Sequence, residues 1–294
     1  MRRCRAGRIR PRSLGGLLFA LLVLAAGYLW NAYFAEQMPP QEGELSLVVL
    51  DVGQGDSLLL CSEGKWALVD AGTPESAPVV LKALKDSGVS SLELAVATHP
   101  HADHIGGMAA VLDACPPGEF WMPDAVHTSA AYENMLDAVE RSGADAVLAQ
   151  TGDTFALGSA RITVLSPGGD APYAGSLNNM SLVLLCEGGG VRLLLTGDAE
   201  LPVEQALLQN GLPQADVLKA GHHGSSTSSS RAFLQAVRPR YAVISCAAGN
   251  SYGHPHRETL EAFADMGVQV LRTDTQGSIL LNASGGNIDV YTER

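Results

Sequence analysis

The sequence predicts an α/β fold in which two β-sheets carry helices on their outer faces, preceded by one N-terminal transmembrane helix. Short runs of Val, Leu and Ile bounded by Gly, Asp or Pro recur along the chain, as buried strands do. Between them lie segments in which apolar residues return every three or four positions, as amphipathic helices do. Strand–helix pairs occur in both halves of the chain, so each half predicts one sheet with helices packed against it.

The predicted elements follow from these two patterns. Strands are predicted at 45–52, 57–61, 66–70, 94–98, 161–165, 181–186, 191–196, 216–220, 241–246, 268–272, 278–282 and 287–291. Helices are predicted at 76–87, 106–114, 130–142, 200–210, 228–237 and 256–266. No second linker, repeat or low-complexity tract interrupts residues 44–294, which therefore read as one domain.

The composition is that of a globular protein with an acidic main domain. Of the 294 residues, 46% are hydrophobic and 17% charged, which excludes a disordered chain. Six arginines lie before residue 13, and after residue 36 the chain has 13 basic against 30 acidic residues, a net charge of −17. This balance argues against binding nucleic acid through a broad basic face, although a local groove or a bound metal would override it.

The N-terminus predicts a membrane anchor. Residues 1–13 form a basic tail, expected to stay cytoplasmic, and residues 14–35 form the transmembrane signal anchor. Residues 14–30 carry no charge, and the apolar run reaches about 20 residues, enough to cross a bilayer as a helix. A linker at 36–43 follows, and the domain is expected outside the cell membrane as part of a single-pass protein. The alternatives are a cleaved signal peptide with a secreted product, or a buried core helix.

The cysteines do not form a metal-binding pattern. No Cys-x-x-Cys pair occurs among the five cysteines, which argues against a cysteine zinc site. Cys61, Cys186 and Cys246 lie in apolar runs and are predicted to be core residues. The four cysteines after Cys4 permit a disulfide outside the cell, but the sequence does not assign a pair.

The strongest chemical signal is the segment His99-Pro100-His101-Ala102-Asp103-His104, which directly follows a predicted strand. Imidazoles and a carboxylate are ligands for zinc, manganese or iron. Alternate residues of an extended segment cannot all face one centre. His99 and His101 can therefore share one metal, while Asp103 and His104 in the following turn reach a second.

Further polar residues follow later predicted strands. They are Asp198 after a Leu-rich strand, His222 and His223 after the strand containing Lys219, and His254 after the strand that ends near residue 246. Together with the first segment they include six of the eight histidines, and His256 lies beside them. Each alone also reads as a turn aspartate or a solvent-facing histidine, but random placement would not gather them at strand ends.

On these motifs the sequence resembles the metallo-β-lactamase fold superfamily. His99-x-His101-x-Asp103-His104 is that family's most specific signature, and Val69-Asp70 and Thr196-Gly197-Asp198 resemble its first motif and its bridging aspartate. The similarity is stronger to the extracytoplasmic hydrolase-like domain of ComEC-type competence proteins. The motifs that carry it occur in the same order over about residues 44–292: Leu50–Ser57, the His/Asp segment, Asn178–Val183, Thr196–Asp198, Gly221–Ser225 and Tyr252–Pro255.

The resemblance implies a four-layer αββα sandwich with one or two divalent metal ions, zinc or manganese, at an edge of the sheets. It assigns His99, His101 and Asp198 to the first metal site, and Asp103, His104, Asp198 and His254 to the second. The family's usual histidine between the signature and Asp198 is missing, because only His127 lies there and Asn179 is near the expected position. Either the first site binds weakly or the enzyme uses one tightly bound metal at the second.

The resemblance also implies roles for the remaining residues. Asp103 is expected to orient the attacking water as well as bind metal, and Asp70 to accept a hydrogen bond from a ligand histidine. His223 is favoured over His222 as the proton donor to the leaving group, the alternative being a purely structural turn. Contacts to the substrate are expected from five residues: Gln54, Asp56, Asn179, Lys219 and His222. Lys219 would pair with a phosphate, unless it is only solvated.

Three functions fit the sequence. The first is a metal-dependent hydrolase of phosphodiesters outside the membrane, acting on single-stranded DNA or smaller phosphodiesters in a competence-related role. The second is a hydrolase of another ester or amide, such as a cell-wall substituent or a lactam. The third is a non-catalytic scaffold of the competence machinery, supported only by the missing histidine. The many-helix membrane channel of full competence proteins is absent from this sequence, and its oligomeric state is not indicated.

Overall fold

Fifteen strands form two β-sheets in the computed structural model, which describes residues 44–167 and 175–294. The strands are β1 Leu45–Val49, β2 Leu58–Ser62, β3 Lys65–Val69, β4 Leu92–Val96, β5 Pro117–Met122, β6 Asp145–Leu148, β7 Thr154–Leu157, β8 Ala160–Ser166, β9 Val183–Gly188, β10 Val191–Leu195, β11 Val217–Lys219, β12 Tyr241–Ile244, β13 Gln269–Arg272, β14 Ile279–Ser284 and β15 Asn287–Thr292. The helices are α1 Ala77–Asp86, α2 Ala102–Ile105, α3 Met108–Ala114, α4 Ala130–Ser142, α5 Leu201–Gln209, α6 Arg231–Val237, α7 Arg257–Asp265 and α8 Thr273–Gln276.

Each sheet has an antiparallel half and a parallel half. The first sheet runs in the order β15-β14-β1-β2-β3-β4-β5-β6, and the second in the order β13-β12-β11-β10-β9-β8-β7. Strands β3 to β6 are mutually parallel, and so are β10 to β13. In the antiparallel half, Leu47 of β1 lies opposite Leu60 of β2 and Leu281 of β14. The carboxyl ends of parallel strands meet at one edge of a sheet, where binding residues gather in α/β proteins.

The alternation of side chains along the strands builds an αββα sandwich. Leu193 and Leu195 of β10 lie in the core between the sheets, whereas Leu194 between them faces the other way and packs with the helices. That outer cluster contains Phe233 of α6 and Phe263 of α7. On the first sheet, α1, α3 and α4 follow parallel strands and pack against one another. The predicted α/β fold with two sheets and outer helices is confirmed.

All twelve predicted strands and all six predicted helices are present, with ends that differ by a few residues. Three strands were not predicted: β5, β6 and β7. The β5 sequence begins with Pro and Gly, which indicate a turn. β6 and β7 are only four residues long, and the three consecutive apolar residues in each make too short a run to mark a strand.

The predicted basic tail at 1–13, the transmembrane anchor at 14–35 and the linker at 36–43 lie outside the described residues. Within the described ranges, no helix has the length and the apolar character needed to span a bilayer. Cys61, Cys186 and Cys246 are buried core residues, as predicted, and they and Cys115 are free thiols.

Replacing Leu60 by Ala tests the core between the sheets. Leu60 is fully buried on a central strand, so its truncation leaves a cavity that rigid sheets cannot close. We expect the free energy of unfolding, measured by urea denaturation, to fall by about 2–5 kcal/mol. Leu148→Ala is the matched control, because Leu148 is 52% exposed on an edge strand and should change stability by less than about 0.5 kcal/mol. Equal effects of the two substitutions would contradict this packing.

Candidate metal centre

The residues of the site lie where the parallel halves of the two sheets end. Asp70 follows β3, the segment 99–104 follows β4, Asp198 follows β10, and His222 and His223 follow β11. His254 belongs to the longer loop after β12. Both sheets present these carboxyl ends at the same edge of the sandwich, which explains why residues far apart in sequence come together.

A buried carboxylate orients the first histidines. Asp70 is completely buried and accepts hydrogen bonds from the Thr98 amide at 2.8 Å and from the Thr98 hydroxyl at 2.7 Å. It also accepts a hydrogen bond from His104 Nδ1 at 2.7 Å. The Thr98 hydroxyl in turn accepts from His99 Nδ1 at 3.1 Å. Both imidazoles are thereby held through Nδ1, and their Nε2 atoms face the site, where a metal would bind.

One group of ligand atoms consists of His99, His101 and Asp198, which can offer atoms within 4.8 Å of one another. His99 Nε2 lies 3.0 Å from His101 Nδ1 and 3.8 Å from Asp198 Oδ2. These are the three residues expected for the first metal site. His222 Nε2 also lies 3.8 Å from Asp198 Oδ2.

A second group of ligand atoms gathers around the other oxygen of Asp198. His104 Nε2 lies 3.3 Å and His223 Nε2 3.6 Å from Asp198 Oδ1. His223 Nε2 also lies 3.3 Å from Asp103 Oδ2. All three atoms that meet at Asp198 Oδ1, including the oxygen itself, are buried and lack a hydrogen-bond partner. Buried polar atoms are almost always satisfied, so their convergence indicates that a cation completes this group.

A hydrogen bond at Nδ1 fixes the orientation of the His223 ring, as it does for the His104 ring. His223 Nδ1 donates to the Ser245 carbonyl at 3.0 Å and lies 3.4 Å from Asp56 Oδ1. Nε2 is therefore the atom that is free to bind a metal. Asp56, His104, Asp198 and His223 can also offer atoms within 4.8 Å of one another, and His254 is not among them. The expected second site included His254 and left His223 as the leaving-group acid, whereas in the structure it is His223 that lies in this group of ligand atoms.

The charges of the site favour a bound cation. Burial lowers the pKa of His223, but the charges of Asp198 and Asp56 outweigh this effect and raise the pKa to about 9. Burial also opposes a charge on His104, yet Asp198 and Asp70 hold the pKa of His104 well above its usual value. Burial raises the pKa of Asp198, but His223 and His104 pull it well below the usual value. The ionised carboxylates thus demand positive charge, which either the protonated rings of His104 and His223 or a divalent ion bound to their neutral imidazoles can supply.

A cleft of about 330 Å³ opens above these ligands. It is lined by Gln54, His101, Ala102, Asp103, Asn178, Asp198, His222, His223, Tyr252 and His254. His222 is partly exposed there, and its Nδ1 lies 3.3 Å from Glu200 Oε1. His254 is nearly buried, and its Nδ1 has no hydrogen-bond partner. Burial and the neighbouring His222 and His223 lower the pKa of His254 to about 4, so this imidazole is neutral near pH 7.

Three residues predicted to contact the substrate do not line the cleft. Lys219 and Asp56 are completely buried and pair with each other at 2.8 Å, so neither can meet a phosphate. Burial raises the pKa of Asp56, but Lys219 and His223 lower it to about 2. Asn179 is buried and accepts the Glu200 amide at 3.0 Å, which makes it part of the turn beneath the site. Gln54 and His222 do lie in the cleft, as expected.

The loop that carries Gln54 and Asp56 packs directly against the segment of residues 99–104. A Cβ on Gly55 would lie 2.2 Å from the Asp103 carbonyl oxygen, and the φ of +142° also disfavours any other residue. The Asp56 amide donates to that same carbonyl at 3.1 Å. The Ser245 hydroxyl donates to the Gly55 carbonyl at 2.6 Å. The loop therefore places Asp56 behind His223 and is not an anion-binding turn.

Sequence reasoning did not assign roles to several residues at the site. Thr98 and Ser245 were missed because hydroxyls and carbonyls that orient ligands have no spacing signature. Asn178 lines the cleft, whereas its neighbour Asn179 was chosen. The ring of His127, which was set aside, lies 6.2 Å from that of His101. His127 follows β5, and recognising β5 as a parallel strand would have placed it at the same edge.

Metal analysis of purified variants tests the corrected ligand set. We expect His104→Ala and His223→Ala each to lose most of the bound metal, because each removes a ligand atom that nothing else replaces. His254→Ala should retain the wild-type metal content, measured by inductively coupled plasma mass spectrometry. Retention by His223→Ala together with loss by His254→Ala would restore the ligand set predicted from the sequence.

Replacing Lys219 by Met tests the buried ion pair. The substitution leaves Asp56 buried without its cation, and we expect the free energy of unfolding to fall by about 3–5 kcal/mol. Lys65→Met is the matched control, since Lys65 forms an exposed pair with Glu93 worth about 0–1 kcal/mol. The double variant Lys219→Met/Asp56→Asn should recover part of the loss in urea denaturation, and no recovery would argue against the pairing.

Comparison with known proteins agrees with this geometry. The model of the Metallo-beta-lactamase superfamily matches residues 50–248. The chain is 34% identical over 258 residues to ComE operon protein 3 of Bacillus subtilis (strain 168), covering 81% of this chain and 33% of that protein. It is 32% identical over 281 residues to Competence protein ComA of Neisseria gonorrhoeae, covering 95% of this chain and 37% of that protein. The chain thus spans about a third of the length of these relatives.

A solved structure shows the same fold. The metallo-beta-lactamase fold protein YhfI from Bacillus subtilis aligns with a TM-score of 0.54 at 14% identity, covering 84% of this chain and 100% of that one. At this identity the likeness concerns the fold alone. The sequence similarity, the matched family model and the His/Asp signature at the strand ends lead to one conclusion: the chain belongs to the metallo-β-lactamase superfamily and is related to competence proteins.

Proposed function

We propose that this protein is a metal-dependent phosphodiesterase that acts on single-stranded DNA outside the cytoplasmic membrane. One observation carries the proposal: the two carboxylate oxygens of Asp198 face two different groups of ligand atoms. Oδ2 lies 3.8 Å from His99 Nε2, and Oδ1 lies 3.3 Å from His104 Nε2. A shared carboxylate of this kind suits a pair of cations, and such pairs clamp the attacking and leaving oxygens of a phosphoryl group.

The ligands would divide between two divalent ions, zinc or manganese. His99, His101 and Asp198 would hold the first ion, and Asp103, His104, Asp198 and His223 the second. Imidazole and carboxylate ligands suit zinc and manganese. When bound, such ions activate a water at neutral pH and neutralise the charge of the phosphate. The second group has the more complete set of ligands, so we assign it the tighter site.

Other residues of the chain would position the substrate and move protons. The Asp103 side chain is about one-third exposed to the cleft, and His223 and His104 hold its pKa below the usual value although burial raises it. Asp103 therefore stays ionised and can accept a hydrogen bond from the attacking water. Because His223 faces the metal group, the role of leaving-group acid passes to His222. Glu200 lies behind His222 Nδ1 and would hold that ring with Nε2 toward the cleft.

The choice of substrate is supported by the charge and by the relatives. A domain with a net charge of −17 after residue 36 lacks the basic face expected for tight duplex binding. A single strand needs fewer phosphate contacts. The relative named as a competence protein favours DNA over other phosphodiesters. The proposed location outside the cytoplasmic membrane depends on the predicted transmembrane anchor at residues 14–35.

A metal and substrate panel on the purified full-length chain tests the proposal. We expect manganese or zinc to support cleavage of a mixed-sequence single-stranded oligonucleotide at a higher rate than its duplex. Asp198→Asn should abolish cleavage, because it removes charge from both groups of ligands at once. Asp113→Asn is the matched control, since Asp113 is exposed and paired with Arg141 far from the site, and it should retain the wild-type rate.

Other outcomes of the panel would overturn the proposal. Turnover of p-nitrophenyl acetate with no phosphodiesterase activity would indicate a hydrolase of another ester class. Stoichiometric metal with no turnover of any substrate, or no bound metal at all, would favour the scaffold function.

A further inference from the structure

An exposed aromatic ring stands at the rim of the cleft. Tyr252 is 65% exposed, yet it lines the cleft beside His222, His223 and His254. Its ring stacks on that of His254, with centroids 5.6 Å apart and planes inclined by 23°. One face of the tyrosine is thus covered by a residue of the site, while much of the side chain remains open to solvent. Single exposed apolar residues are common, but this one is placed against the site.

The backbone that carries Tyr252 is held on both sides. Asn250 Oδ1 accepts the amides of Tyr252 and His254 at 3.1 and 3.0 Å, and Asn250 Nδ2 donates to the His254 carbonyl at 2.6 Å. His256 Nε2 donates to the Tyr252 carbonyl at 3.2 Å. A ring held in this way loses little conformational entropy when a ligand stacks on it, which is how preorganised aromatic side chains contribute to binding.

The described lining of the cleft offers no basic side chain to hold the backbone of a polymer. Among the described residues that line it there is no lysine or arginine, and Lys219 beneath it is buried in its pair with Asp56. Cations at the metal groups would hold the reacting phosphate, but they cannot hold the neighbouring nucleotides. In proteins that bind single strands without sequence preference, stacking of bases on aromatic side chains contributes to binding beside the charge contacts to the backbone.

We propose that Tyr252 is the stacking platform for a base next to the scissile phosphate, and so selects single-stranded nucleic acid over phosphodiesters that lack a base. This inference rests on the proposed phosphodiesterase function and adds to it the residue that recognises the substrate. Any base has a face that can stack, so the platform tolerates any sequence. In a duplex the bases are already stacked on each other, so the same ring also discriminates against double-stranded DNA.

The test compares two single-stranded oligonucleotides of equal length and phosphate number, one with bases and one abasic on both sides of the cleavage point. In the metal-loaded full-length protein, Tyr252→Ala should lower kcat/KM for the base-containing strand by roughly 5- to 150-fold, the worth of one stacked base. The abasic strand should be cleaved at nearly the wild-type rate. Tyr252→Phe should retain the preference, because it keeps the ring. Tyr291→Ala is the matched control, since Tyr291 is also exposed but lies on β15.

Isothermal titration of the same two strands gives a readout that does not depend on turnover. The wild type should bind the base-containing strand more tightly, and Tyr252→Ala should bind both alike. Equal losses on both strands would mean that Tyr252 only supports His254, and no loss on either would mean that the ring is idle; both outcomes overturn the inference and leave the phosphodiesterase intact. A wild type that neither cleaves nor binds either strand would overturn the proposed function itself.

Discussion

The geometry of the metal centre depends on one buried carboxylate, that of Asp70. Asp70 directly follows β3. Its carboxylate accepts hydrogen bonds from the amide and the hydroxyl of Thr98, which follows β4, and from His104 in α2. The Thr98 hydroxyl in turn accepts a hydrogen bond from His99, so Asp70 also orients the His99 ring indirectly. One anion thus sets the ring orientation of a histidine from each group of ligand atoms, and its φ of +59° shows that the backbone turns sharply to bring it there.

A second buried carboxylate performs the corresponding task for the other sheet. Asp56 sits in the loop between β1 and β2, yet it lies behind His223, which follows β11. Lys219 balances its charge from the last position of that strand. The two sheets therefore meet at the site through an ion pair as well as through the apolar core between them. Replacing this pair by apolar residues would give up the contact that keeps His223 Nε2 turned toward His104 and Asp198.

The sequence predicted most strands and helices well, because these elements depend on local patterns of apolar residues. Apolar runs gave the central strands, and the spacing of His99, His101, Asp103 and His104 predicted a metal site at the end of β4. The choice between His223 and His254 could not be made this way, because it depends on how a turn with two residues in left-handed conformation presents its side chains. Lys219 was misread for a related reason: a lysine beside a glycine-rich turn looks solvated until its buried partner, 163 positions away at Asp56, is known.

The distribution of charge bears on how an acidic domain would act on the anionic substrate that we propose. The carboxyl groups of Asp56, Asp70, Asp103 and Asp198 are concentrated within one small volume, where they are paired with histidines and with Lys219. Their negative charge is therefore balanced by neighbouring groups within the protein, so it repels an anion at the mouth of the cleft less strongly. The reacting phosphate would meet cations that these carboxylates hold, whereas the rest of the polymer would meet a rim whose described residues include no lysine or arginine. A site built in this way has its selectivity set by the shape and the aromatic surface of the rim, and its reactivity set by the residues beneath it, so that the two can change independently of each other.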